Sequence, residues 1–144
     1  MPERAYPDVI PMLMYEDASA ALDWLGRVFG FRERMRLGEG ERIGHAEMEA
    51  GTGLIMLAGW GVGGDYESPR RLREVHEPAR RMAATPYVID GVHVVVKDVD
   101  AHFQHAKSEG ATILSEPEDE PYGRLYRAED LEGHRWMFVQ RPST

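Results

Sequence analysis

The chain has 144 residues, 42% of them hydrophobic and 29% charged, with a formal net charge of −8. That size suits one domain or two small modules around one core, and the composition excludes disorder as the main state. The acidic balance repels phosphate backbones and anionic lipid, no apolar run approaches the ~20 residues of a bilayer span, and the chain has no cysteine for disulfide or thiolate chemistry. No nucleic acid and no membrane is therefore expected as a partner.

The opening "MPERAYPDVIPML" lacks the long apolar core of a signal peptide, so a cytoplasmic location is expected. "VIPMLMYEDASAALDWLGRVFGF" then reads as a short strand, a turn at Glu16-Asp17, an amphipathic helix and a stop at Gly30. Leu22, Leu25, Val28 and Phe29 fall on one helical face. "HAEMEAGTGLIML" offers two strands around Gly51-Thr52-Gly53. The segment "WGVGGDYESPRRLREVHEPARRMAATP" follows, with an Arg-rich stretch that reads as helical up to Pro78. It is either a solvated linker or a flap that offers Arg70, Arg71 or Arg73 to an anionic ligand.

The plan then repeats. "GVHVVVKDVDAHFQHAKSEGATIL" gives strand, Asp98, helix and a stop at Gly110, and "RLYRAEDLEGHRWMF" gives two strands around Glu132-Gly133. Asp17 and Asp98 lie 81 positions apart, and so do Met56 and Met137. A shared offset at both ends implies a duplicated βαβββ unit, placed at 7–60 and 87–142, with 61–86 as linker or flap.

The segments "MLMYEDASAALDWLGRVFGF", "GHAEMEAGTGLIMLAG", "GVHVVVKDVDAHFQHAKSEGATILSEPEDEPYG" and "RLYRAEDLEGHRWMFVQ" resemble the vicinal oxygen chelate superfamily of glyoxalase I, extradiol dioxygenases and bleomycin-resistance proteins. The last two look most like its glyoxalase/bleomycin-resistance, PhnB-like group. The resemblance implies an α+β fold in which two βαβββ modules form an open barrel-like cup, with helices outside. It also implies a homodimer, and a divalent metal in members that keep the ligand set. Carried over, the four ligand positions fall on Ile10, Met56, Gly91 and Met137. None is the His, Gln or Glu such a site uses, because thioether suits soft copper(I) and not a hard or borderline divalent ion. No metal or other cofactor is therefore expected.

By strand alternation His93 points to the same side as Gly91. It reads either as a hydrogen-bonded cavity histidine or as a ligand contact or general base, and it is the best catalytic candidate. His45 with Glu47 and Glu49 reads as a carboxylate–imidazole cluster or as a solvated strand face. His102 and His105, on a covering helix, are expected at the surface, and His134 is expected to be structural, with Trp136 under the helices. The same alternation lines the cup with Met12, Met14, Met56, His93, Arg135 and Met137, beside Leu54, Ala58, Val95 and Val139. Tyr122 and Tyr126 are further polar candidates. A Met-rich lining is either core filling or a soft-walled pocket with a few polar groups. Arg135 carries a fixed charge toward an anionic part of the ligand unless Glu129 neutralises it.

Two functional readings follow. One is a metal-free small-molecule binder of the bleomycin-resistance type, which needs no nucleophile or base. The other is a metal-dependent lyase, isomerase or dioxygenase with a rearranged site built from His45, Glu47 or His93. A vestigial cup in a structural or regulatory dimer is the third, blander possibility.

Overall fold

The computed structural model describes residues 6–40, 42–59 and 65–143. The first module runs β1 (Met12–Tyr15), α1 (Ala18–Trp24), a π-helical turn (Leu25–Phe29), β2 (Arg32–Glu39), β3 (Arg42–Ala50) and β4 (Gly53–Gly59). Helices α2 (Pro69–Val75) and α3 (Glu77–Ala83) follow. The second module runs β5 (Gly91–Val95), α4 (Val99–Ser108), β6 (Thr112–Glu120), β7 (Gly123–Glu129) and β8 (Arg135–Gln140). Its two four-stranded sheets have the orders β1-β4-β3-β2 and β5-β8-β7-β6. In each, the first strand of the unit pairs in parallel with the last, and the other pairs are antiparallel. This is the expected α+β architecture of paired βαβββ units, in two sheets that do not close into one barrel.

The repeated aspartates start the helices. Asp17 accepts from Ala20 N at 3.0 Å and Asp98 from Ala101 N at 3.1 Å, filling helical N–H groups that lack an intrahelical partner. Leu22, Leu25, Val28 and Phe29 are all buried, and the first helix ends at Gly30 with φ 77°. The Arg-rich stretch forms two helices instead of one. Pro78 lacks an N–H, and its ring blocks the carbonyl four residues back, so the chain breaks at His76 and restarts with Pro78 in the first turn of α3.

One core serves both modules. Leu13, Tyr15, Ile55 and Leu57 from the first sheet and Val92, Val94, Trp136 and Phe138 from the second face it, together with Val28, Phe29, Phe103 and Ala106 from the helical segments. Phe29 touches Phe138 edge-on, with centroids 4.7 Å apart, and lies 5.8 Å from the Trp136 ring.

The "EDLEGHRW" turn between β7 and β8 fastens the modules together. Asp130, 1% exposed, accepts from Tyr15 Oη at 2.6 Å, Trp136 Nε1 at 3.0 Å, Glu132 N at 3.0 Å and His134 N at 3.0 Å. Two residues on, the Glu132 carboxylate accepts the backbone N–H groups of Glu16 and Asp17 at 2.7 and 3.0 Å. His134 Nε2 donates to Met14 O at 2.7 Å and its ring meets Tyr15 edge-on, which gives the expected structural role a concrete partner. Burial, and then the Asp130 charge, push the Tyr15 hydroxyl well above its ordinary range, so it remains a donor. Gly133 has φ 92°, and a Cβ there would lie 2.9 Å from Arg70 N, so only glycine admits both the turn and the start of α2.

His102 departs from the expected surface position. Its helix face packs on the π-helical turn of the other module: Nε2 lies 2.9 Å from Phe29 O and Nδ1 2.6 Å from Tyr126 Oη. A carbonyl only accepts, so Nε2 carries the proton and Nδ1 accepts from the Tyr126 hydroxyl. Both nitrogens of the neutral ring are satisfied, and burial holds its pKa below the ordinary value. His105 is exposed, as expected, and reaches Arg27 O at 2.8 Å.

Two outcomes follow from these contacts. Asp130→Ala strands donors from both modules and should lower the unfolding free energy by about 3–5 kcal/mol in urea titration; a loss below about 1 kcal/mol would show the turn to be dispensable. For His102, the unfolded chain binds the proton more readily than the folded one. Stability should therefore be complete above the ordinary histidine pKa of about 6.5 and fall as the pH drops below it. As the pH drops below about 6.5, melting temperatures should fall more steeply for the wild type than for His102→Gln, and parallel slopes would remove His102 from the pH response.

Candidate functional site

On each sheet the residues alternating with the core form an opposite face, and strand register sets their rows. On the second sheet Arg127 pairs with Met137 and Met137 with His93, giving a row across β7, β8 and β5. The adjacent row is Glu129, Arg135 and Gly91, and the next is Leu125, Val139 and Val95. Over this face, closed at one side by the segment leading into β5, lies a cavity of about 290 Å³. That is near the lower end of the ~300–1,000 Å³ of small-molecule sites. Pro86, Tyr87, Ile89 and Leu114 supply apolar wall, and Asp90, His93, Arg127 and Arg135 supply polar groups around Met137.

Three expected site residues, His93, Arg135 and Met137, thus meet in one cavity. Met12, Met14 and Met56 sit elsewhere, on the opposite face of the first sheet, where Met12 pairs with Met56 and Met56 with Glu47. They do not line the cavity, and Met12 is 73% exposed. Leu54 and Ala58 share their face, whereas Val95 and Val139 share that of the cavity. Tyr126 is fully buried in the core against His102 and leaves the site, and Tyr122 lies exposed at the β6–β7 turn. Arg127 is not among the candidates expected from the sequence; the alternation of Leu125, Arg127 and Glu129 along β7 carries the signal, but only the pairing of β7 with β8 shows which face it serves.

Glu129 does temper Arg135. Arg135 Nη2 lies 2.8 Å from its carboxylate, and Arg73 and Arg70 reach the same group at 3.0 and 3.3 Å. One carboxylate faces three guanidiniums. Burial lowers the Arg73 pKa, as do Arg135 and Arg70, against the pull of Glu129. The linker arginines proposed for a flap are therefore engaged inside the chain, and Arg71 pairs with Glu16 at 3.1 Å. Arg135, 5% exposed, also donates to Ala83 O at 2.8 Å and Pro86 O at 3.4 Å, which ties the segment before β5 to the sheet. Its Nε is buried with no partner among the described residues.

His45 and Glu47 do form a carboxylate–imidazole contact, at 3.3 Å, with Glu47 buried and also receiving Tyr6 Oη at 3.0 Å. The pair lies on the first sheet, apart from the cavity that holds His93. Among the described residues no three His, Asp or Glu side chains converge as a metal site, and Ile10, Met56, Gly91 and Met137 do not fit a hard divalent cation.

Residues 10–138 match the sequence profile of the Glyoxalase/Bleomycin resistance protein/Dioxygenase superfamily. The chain belongs to this superfamily. Its structure is similar to TioX from Micromonospora sp. ML1, with 32% identity, a TM-score of 0.68 and coverage of 96% of this chain and 98% of that one. It shares its fold with TnmS3, an antibiotic binding protein from Streptomyces sp. CB03234, at 14% identity and a TM-score of 0.59, covering 96% of this chain and all of TnmS3 (100%). An uncharacterised protein of Mycobacterium bovis is 29% identical over 136 residues, 93% of this chain and 83% of its own length.

Arg135→Ala removes the ties to Ala83 and Pro86 while Glu129 keeps Arg70 and Arg73. Hydrogen exchange at residues 84–91 should accelerate, with a stability loss of about 1–3 kcal/mol. Unchanged exchange there would mean that other contacts hold the cavity wall.

Proposed function

We propose that this superfamily member is a metal-free small-molecule binder and that its ligand occupies the cavity over β5, β7 and β8. The observation that carries this reading is the cavity itself, where apolar walls and convergent polar groups surround Met137, a position at which chelating relatives need a carboxylate. His93, Arg135 and Met137 are the contacts we assign to the ligand. The antibiotic-binding description of TnmS3, on the same fold, supports the same class of function.

Binding is favoured over catalysis because His93 has no carboxylate hydrogen-bonded to it among the described residues, whereas a general base is ordinarily oriented by such a partner. The exposed Met12 face of the first sheet, with Met14 and Met56, suits a homodimer contact, which belongs to the same proposal together with the PhnB-like grouping and a cytoplasmic setting. Among the described residues no helix is long and apolar enough to cross a membrane.

Native mass spectrometry of freshly purified protein should reveal an organic adduct without a divalent ion. Calorimetric titration with zinc, nickel, manganese and iron(II) should give no stoichiometric binding. Micromolar or tighter metal binding that disappears in His93→Ala would overturn the proposal in favour of a lyase, isomerase or dioxygenase site.

A further inference from the structure

The charge around the cavity runs against the charge of the chain. A protein with 25 acidic and 17 basic residues gathers Arg70, Arg73 and Arg135 on Glu129 and places Arg127 one row away. The Arg127 side chain makes no ion pair or hydrogen bond among the described residues, and neither does that of His93, which flanks Met137 on its other side. Arg135 lies in the adjacent row with its buried Nε–H unmatched, so acceptors among the described residues do not saturate this guanidinium. Among the described residues Asp90 is the one carboxylate on the cavity wall, and it is exposed.

We infer that the cavity recognises an anionic oxygen, a carboxylate or phenolate, carried on a flat apolar body. The oxygen sits above Met137, between Arg127 and His93, with the Arg135 charge in the wall behind. This rests on the cavity-binding reading above and adds the ligand's charge.

The geometry suits that assignment. Neighbouring strands lie about 4.8 Å apart, so Arg127 and His93, one strand to either side of Met137, flank a gap that their side chains can lean across. A guanidinium donates through a rigid fork that matches a carboxylate, and an imidazole supplies one N–H when neutral and two when protonated. The Met137 thioether below is polarizable and adapts to the face of a ring, while Tyr87, Ile89 and Leu114 enclose the apolar part. A cation would meet Arg127 and the incompletely neutralised Arg135, so the site selects against it.

Calorimetric titration of the full chain with 2-naphthoate and with its neutral isostere 2-naphthamide tests the inference. Naphthoate should bind at least about tenfold tighter, as expected when a charge-assisted hydrogen bond is gained. Arg127→Gln should abolish most of that preference by weakening naphthoate far more than naphthamide, and it should leave the melting temperature unchanged, because the Arg127 side chain holds no other part of the chain among the described residues. His93→Asn should weaken naphthoate by a smaller factor. Equal affinities for the two probes would overturn the anion site while leaving a binding cavity, and so would a preference that survives Arg127→Gln. Failure of both probes to bind would overturn the cavity reading and this inference together.

Discussion

The structure depends on one buried carboxylate. Asp130 is acidic, almost fully enclosed, and surrounded by four donors from two modules. Burying a charge is costly unless its hydrogen bonds are made, so this position tolerates only the arrangement in which Tyr15, Trp136 and the turn amides all point inward. That arrangement sets the docking of the first module, because Glu132 and His134 from the same turn hold the β1–α1 junction. It also seats α2 against Gly133 and starts β8 at Arg135. The cavity is thus built on a strand whose origin is fixed by the link between modules.

The two modules have kept one topology and diverged in chemistry. In the first sheet the central row reads Glu47, Met56, Met12; in the second it reads Arg127, Met137, His93. The methionine at the middle is common to both, and its neighbours differ in charge. A βαβββ unit specifies which positions point away from the core, because alternation and register are backbone properties. It places no demand on what those positions carry, so the same scaffold presents an acidic, Met-rich face on one sheet and a cationic cavity on the other. Chelation needs several hard donors on one point, and neither row supplies them among the described residues.

Burial decides how the charges act. Surface ion pairs in this chain, such as Arg27–Glu109 and Arg124–Asp100, are screened by water and contribute little. Around Glu129 the groups are largely enclosed, and three guanidiniums crowd one carboxylate, so their mutual repulsion is felt. On the proposed reading an acidic ligand relieves that imbalance. Electrostatics and the apolar wall therefore favour the same ligand: charged at one end and flat at the other.

The sequence by itself determined the repeat, the helix starts beside Asp17 and Asp98, and the alternation that sets Arg135, Met137 and Val139 on one side of their strand. These follow from local periodicity and from the 81-residue offset, which need no knowledge of how the modules meet. It also determined that Ile10, Met56, Gly91 and Met137 are not hard-ion donors, since donor chemistry is a property of residue type. Only the tertiary structure decided the rest. His102 was legible as helical but not as a bridge to Phe29, because that contact joins positions 73 residues apart. The methionines fell into two groups, and Arg127 joined His93, because sheet membership and strand pairing are long-range facts. Met137 is where the two kinds of knowledge meet: residue chemistry shows what it cannot hold, and the neighbouring strands show what surrounds it instead.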